Sequence, residues 1–321
     1  MSATTPPSCV GTAAGQNNCG SASTDSCCAS PLVTGVTTAS YYRSYDGVSG
    51  TSCNGADCNS KSYPALVSDF RLDKYEITVG RFRKYVAAVE AGTVPSAGSG
   101  KHTHLNSGNG LSDGSGGYEP GWDTSWNTPT NFPTSSTTWD TNLNCYSGYS
   151  TWSAGNDNRP INCIDWYDAA AFCIWDGGFL PSEAEWNYAA SGGTDQRVYP
   201  WGSTAPGANA NLAVYGCYYN GTGSCSGVTN IANVGMVPAG NGKYGQSDLA
   251  GNVWEWNLDW WNSPYSIATC TNCSYPVSGS FRVIRGGSFG NVAATLLAGY
   301  RNYFTPTTRY NYIGARCART P

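Results

Sequence analysis

A chain of 321 residues is long enough for one large domain or two ordinary ones and can bury a substantial core. Only 12% of the residues are charged, about half the usual share, and the net charge of −4 comes with no basic stripe, which argues against nucleic acid or another polyanion as a partner. No apolar run is long enough to make a transmembrane segment. The 40 glycines, 22 tyrosines and 12 tryptophans point instead to an irregular, loop-rich fold packed through aromatic rings.

Fourteen cysteines are scattered from Cys9 to Cys317, with only two histidines to share a metal with them. Zinc sites use clustered pairs, so this dispersed set reads as disulfides made in an oxidising compartment: secreted, periplasmic or at the cell surface. The opening Met1-Ser-Ala-Thr-Thr-Pro-Pro has no apolar signal core, and the chain is read as one whose leader has been removed.

Residues 1–30 are rich in Ser, Thr, Gly and Asn and lack core periodicity, which predicts a Cys-stapled head or tether ahead of a single domain over 31–321. Adjacent Cys27 and Cys28 rarely bond each other and are expected to bridge in two directions, toward Cys53 and Cys58. Strands are expected in Pro31 to Tyr45 and in Tyr63 to Tyr75. Thr78 then caps a helix whose Val79, Phe82, Val86 and Val89 recur at helical spacing until Gly92.

Residues 93–159 read as one long loop. Its Lys101-His-Thr-His104 could place two imidazoles on a transition metal, but in a Gly/Ser loop with no carboxylate beside it a solvated pair is the expected state. Trp122, Trp126, Trp139 and Trp152 are too many for a solvated loop and either pack onto the domain or line a groove. Two capped helices follow. Asp165 with Asp168 opens one that buries Trp166, Ala169, Ala170 and Cys173 and stops at Gly177-Gly178. Ser182 with Glu185 forms a capping box for the next, which Gly192-Gly193 closes. The cap accounts for Glu185 without acid or base chemistry. Cys270-Thr-Asn-Cys273 is the only Cys-x-x-Cys and is expected to be a structural disulfide, within its loop or to two other partners.

One stretch gathers unusual chemistry: Gly242 to Trp261 holds three acidic residues, Asp248, Glu255 and Asp259, and four tryptophans among its turns. On residue types alone it reads first as a packed turn and second as a site for a hard cation, whose oxygen ligands it could supply. Its core, Tyr244-Gly-Gln-Ser-Asp-Leu-Ala-Gly-Asn-Val-Trp-Glu-Trp256, resembles the hallmark of the formylglycine-generating enzyme (sulfatase-modifying factor) family. Leu180-Pro-Ser-Glu-Ala-Glu-Trp-Asn-Tyr-Ala-Ala190, Tyr199-Pro-Trp-Gly202, Arg282-Val-Ile-Arg-Gly-Gly-Ser288 and Gly314-Ala-Arg-Cys-Ala318 follow the family's order, so the resemblance covers about residues 31–321.

That resemblance implies an α+β fold, a variant of the C-type-lectin fold with few regular elements and many loops. It also implies Ca²⁺, held by the side chains of Asp248 and Glu255 with the carbonyls of Gly251 and Val253, and a further calcium at Asn211 and Leu212. Catalytic members use two cysteines shortly after Gly-Gly-Ser to bind Cu(I) and oxidise a substrate cysteine. Here the interval Phe289 to Arg301 has none, and Asn291 or Leu296 cannot replace a thiolate. Cys317 matches a structural cysteine. No catalytic residues and no copper are therefore expected, and the rival reading is an oxidase that recruits Cys270 and Cys273.

The tail Tyr300 to Gly314 mixes aromatic and small polar residues as recognition loops do, and it resembles the variable region of lectin-fold proteins diversified by retroelements. The expected ligand contacts are Phe289, Asn291, Tyr300, Asn302, Tyr303, Phe304, Tyr310, Asn311 and Tyr312, with a protein, peptide or glycan as partner. The alternative is that these residues only pack and cap turns.

Overall fold

Thr78 accepts the Arg81 amide and starts helix α1, Val79–Glu90, which buries Val79, Phe82, Val86 and Val89 as their spacing predicts. Helix α3, Trp166–Trp175, and helix α4, Glu183–Ala190, each open with a reciprocal capping box, Asp165 with Asp168 and Ser182 with Glu185. Helix α2, Ser136–Leu143, lies inside the segment expected to be loop. Its Ser, Thr, Asp and Asn residues are weak helix formers that hide it from propensity. Tertiary contacts hold it: Trp139 and Leu143 are fully buried, Trp139 meets the Phe82 ring edge-on at 6.1 Å, and Trp152 donates to Asp140 at 2.7 Å.

The structure is a computed structural model that describes residues 5–48, 53–54, 58–221, 223–276 and 278–321, apart from the side chains of 39 and 40. The first four residues of the expected head lie outside that set. Each of the two expected strands breaks into a pair. β1, Leu32–Val33, and β4, Phe70–Leu72, join the terminal β10, Ala318–Arg319, while β2, Val36–Tyr42, and β3, Pro64–Val67, join β6, Cys270–Thr271. Pairing with elements far along the chain imposes the breaks, and no local pattern announces them. The third sheet, in the order β8 (Arg301–Phe304), β7 (Arg282–Arg285), β5 (Trp254–Trp260) and β9 (Ile313–Gly314), carries the site. β5 runs antiparallel to β7, with Glu255 opposite Arg285 and Trp260 opposite Arg282. β8 extends β7, and β9 runs parallel to β5.

All fourteen cysteines form seven disulfides. Cys27 and Cys28 do bridge in two directions, but to Cys19 and Cys9 inside the head rather than to Cys53 and Cys58, which bond each other. The head is docked onto the domain. Arg81 donates to the Ser8 hydroxyl and the Cys27 carbonyl, and Gly80 approaches so closely that a Cβ there would lie 2.1 Å from the Ala14 oxygen.

Many of the charged residues lie inside. Arg81 meets Asp73 and Asp176, Arg316 clamps Glu255, and Arg285 and Arg301 share Glu183, which is 3% exposed. Burial would raise the Glu183 pKa, but the charges of Arg301 and Arg285 hold it below the usual carboxylate range. Glu183→Gln keeps the shape and leaves two buried guanidinium groups without their anion. Urea unfolding is expected to show a loss of roughly 3–5 kcal/mol, and a loss below about 1 kcal/mol would contradict the role given to this pair of contacts.

Candidate functional site

The turn before β5 is built by residues in the left-handed region: Asp248, Gly251 and Asn252 have φ of 58°, 90° and 59°. Gly251 has no substitute, because a Cβ there would fall 2.3 Å from the Val214 oxygen. Asn252 accepts the Ala232 amide at 3.0 Å and donates to Glu76 at 2.7 Å, and the Val253 amide donates to the same carboxylate at 3.1 Å. Asp248 accepts the Gly235 amide at 2.6 Å. Glu255 takes two bonds from Arg316, at 2.6 and 2.7 Å, and one from the Trp186 indole.

Arg316 pairs with Glu255, and the buried carboxylates of Glu76 and Asp248 lie near enough for their charges to act on it. Burial, joined by the charges of Asp248 and Glu255 and opposed by Arg316, raises the Glu76 pKa well above the usual range. Burial likewise lifts Asp248 to about 6 against its bond from Gly235 and the charge of Arg316. Excess buried negative charge with all-oxygen donors is chemistry that suits a hard dication. Asp248, Gly251 and Val253 lie in this turn and Glu255 in the strand that follows it. Asn211 lies exposed on a preceding loop and Leu212 packs its carbonyl against Gly240, outside the carboxylate group. Glu76 was missed by sequence reading, since in Lys74-Tyr-Glu-Ile-Thr78 it looked like part of the lead into α1.

The interval after Gly-Gly-Ser is filled. Leu296 is 1% exposed, and the Asn291 side-chain oxygen is held by the Trp254 indole at 2.8 Å and the Ser288 hydroxyl at 2.7 Å. Cys317 bonds Cys173, and Cys270 bonds Cys273 within their loop. Asp46, Cys53 and Cys58 form the one group of three His, Cys, Asp or Glu among the described residues whose ligand atoms all lie within 4.8 Å of one another, but its sulfurs are a disulfide and not thiolates.

The tail residues divide. Phe289 is buried against Tyr149, and Asn311 is buried with its carbonyl bonded by Asn162. Tyr303 projects to the opposite side of β8 from Asn302 and Phe304, and it packs on Trp261 and Phe281. Asn302 accepts from Asn54. Phe304, Tyr310 and Tyr312 form one partly exposed aromatic group, with centroids 4.9–6.3 Å apart, and Tyr300 leans on Trp254 at 6.1 Å. Arg309 anchors this loop on the first turn of α3 through Asp165 and Asp168.

Both histidines depart from expectation. His102 is fully buried between Glu119, at 3.0 Å, and Glu185, at 3.1 Å, and His104 is half-buried over Phe179. The two carboxylates lie 17 and 83 residues away in the chain, which is why a local reading found no anion. Trp139 and Trp152 pack onto the domain, whereas Trp122 and Trp126 wall a separate cavity.

Residues 48–321 match the family model described as a sulfatase-modifying factor enzyme 1-like domain. The chain belongs to that family. It is 36% identical over 167 residues to the mouse formylglycine-generating enzyme, covering 50% of this chain and 44% of the relative, and 38% identical over 174 residues to that of Thermomonospora curvata, covering 51% and 56%. A mouse relative named inactive C-alpha-formylglycine-generating enzyme 2 is 34% identical over 164 residues, or 50% and 48% of the two chains. The chain spans about half the length of the curated relatives it matches. Among solved structures, Treponema denticola variable protein 1 superposes with a TM-score of 0.55 at 21% identity, covering 91% of this chain and 95% of that one. PvdO from Pseudomonas aeruginosa does so with 0.57 at 21%, covering 90% and 93%. These likenesses establish the fold, the formylglycine-generating-enzyme type of the C-type-lectin-like class, with few helices and many loops.

The His102 contacts carry a pH signature. Burial lowers its pKa, but the charges of Glu185 and Glu119 outweigh that and raise it to about 10, while the charge of His102 and its bonds hold Glu185 below its usual value despite burial. The histidine's stabilisation is complete below its unfolded value of about 6.5 and is lost as pH rises toward the folded value. The Glu185 share is present above about 4.5 and is lost in acid. Melting temperature is therefore expected to fall between pH 6 and 9.5, and His102→Gln to lower it at pH 6 and flatten that fall. An unchanged slope in the variant would remove the assignment.

Proposed function

We propose that this chain is an extracytoplasmic, calcium-stabilised binding protein of the sulfatase-modifying factor family that does not carry out copper oxidation. The observation that carries this reading is the interval from Phe289 to Arg301. It contains no cysteine, and the positions where a thiol pair would stand are taken by a buried leucine and a hydrogen-bonded amide. Seven disulfides support an oxidising compartment, and the occurrence of a relative named inactive supports a scaffold that outlives its chemistry. Recognition is assigned to Tyr300, Phe304, Tyr310 and Tyr312, which offer rigid aromatic area at the surface. Retroelement diversification would act on this tail, and a protein of similar fold is named a variable protein.

Turnover of a Cys-x-Pro-x-Arg peptide in the presence of Cu(I) separates this reading from an oxidase that would open the Cys270–Cys273 bond. No formylglycine is expected by mass spectrometry, with or without mild reductant, and catalytic turnover would replace the binding reading with the oxidase.

Calcium is assigned to Asp248 and Glu255 with the Gly251 and Val253 carbonyls, beside Glu76, and a second ion to Asn211 and Leu212. Bound at a hundred times its dissociation constant, an ion contributes about 2.7 kcal/mol. Chelation is expected to lower the melting temperature by at least about 2 °C for a domain of this size, and Asp248→Asn to abolish most of that response. A melting temperature indifferent to chelator removes calcium from the reading.

A further inference from the structure

A cavity of about 280 Å³ lies between the loop that carries Trp122 and Trp126, helix α3 and strands β5 and β7. Four indoles line it, those of Trp122, Trp126, Trp166 and Trp260, together with Ile174 and Leu258. Trp126 stands edge-to-face with Trp122 at 5.1 Å and with Trp166 at 5.5 Å, so the rings are fixed in space by one another.

One cation lines the same cavity. Arg282 is 4% exposed, and its guanidinium lies between the Trp166 and Trp260 rings, 3.7 and 3.6 Å from their centroids. Among the described residues it commits one of its five N–H donors, to the Leu258 carbonyl at 2.6 Å, and its Nε has no hydrogen-bond partner. No carboxylate pairs with it among the described residues, whereas Arg81, Arg285, Arg301 and Arg316, equally buried, each meet one. Burial accordingly pushes its pKa down, with the more distant Tyr167 and Asp259 charges opposing. The two indole faces stabilise the charge in part but accept none of its in-plane hydrogen bonds.

We propose that this cavity is a binding site for a small aromatic monocarboxylate, its ring among the tryptophans and its carboxylate on Arg282. An apolar wall with a single unpaired guanidinium suits a flat apolar body bearing one anionic group, and the planar fork of Arg matches a carboxylate. The Glu119 carboxylate at this cavity is already bonded by His102 and the Leu111 amide, and the exposed carboxylate of Asp123 disfavours a second negative group on the ligand. A bare sugar would need more polar partners than these walls offer.

Indole-3-acetate is the probe, with 3-methylindole as its counterpart lacking the carboxylate, both titrated calorimetrically into the intact protein. Saturable binding of the acid is expected, weaker for 3-methylindole by at least about tenfold, the worth of one charged hydrogen bond. Arg282→Met is expected to erase that difference. Trp126→Ala, on a partly exposed wall residue, is expected to weaken binding several-fold in a protein whose circular dichroism is unchanged, which keeps the test decisive if Arg282→Met does not fold. Absence of saturable binding, equal affinity for the two probes, or undiminished affinity in folded Trp126→Ala would each overturn the site.

Discussion

The architecture depends on guanidinium groups buried against carboxylates. With so little regular structure, the chain cannot rely on long backbone ladders to position its loops, so it ties them at points. Arg316 fastens the end of the chain to Glu255 on β5 and also donates to the carbonyls of Asp73, Lys74 and Ser247. Arg81 and Arg319 meet on Asp73 and Asp176, which draws together the head, α1, the end of α3 and the C-terminal strand. Each contact needs an exact partner position, because a buried charge left unpaired costs several kcal/mol. Such a network therefore selects one loop arrangement among many that would bury similar apolar area. The disulfides act on the same loops from the other side by limiting the unfolded chain.

What could be read from sequence follows from the range of the interactions. The three helix starts at Thr78, Asp165 and Ser182 were legible because an N-cap, or the capping box at the latter two, is completed within four residues. The core face of α1 was legible because helical spacing repeats within one element. The family motifs located the Asp248 to Glu255 turn by themselves, although they said nothing of Glu76, which reaches that turn across 177 residues to bond the Val253 amide. His102 shows the same limit. Lys-His-Thr-His in a Gly/Ser-rich loop reads as solvated, and only the folded chain shows two glutamates converging on it. Helix α2 inverts the rule: its residues prefer caps and turns, and Trp139 overrides them by packing.

The tail illustrates why composition alone overstates a binding surface. Alternation along β8 sends Tyr303 to one side and Phe304 to the other, so residues adjacent in sequence cannot serve one contact patch. Asn291, exposed by its residue type, is instead fixed by Trp254 and Ser288, and Phe289 belongs to the core. The aromatic group that remains is smaller than the sequence pattern, and its loop is held rigid by Arg309 on the α3 cap. Rigidity of this kind lowers the ordering cost of recognition and favours a fixed surface over an adaptable one.

The sheet also relates the tail to the tryptophan-lined cavity. Arg282 on β7 stands opposite Phe304 on β8, and three rungs along the same ladder Arg285 stands opposite Arg301. Alternation places the first pair on one face and the second on the other, so a single hairpin directs its outer arginine toward the cavity and its inner arginines onto Glu183. The two faces thus treat the same residue type in opposite ways. On one, the charge is neutralised by a carboxylate supplied by α4, which stabilises the fold and leaves nothing for a ligand. On the other, indole rings flank the charge and leave most of its donors unused, so the fold carries the cost of burying Arg282 without collecting its hydrogen bonds. An anionic group entering the cavity would supply those bonds, and Phe304 would stand at the junction between that ligand and the aromatic surface of the tail.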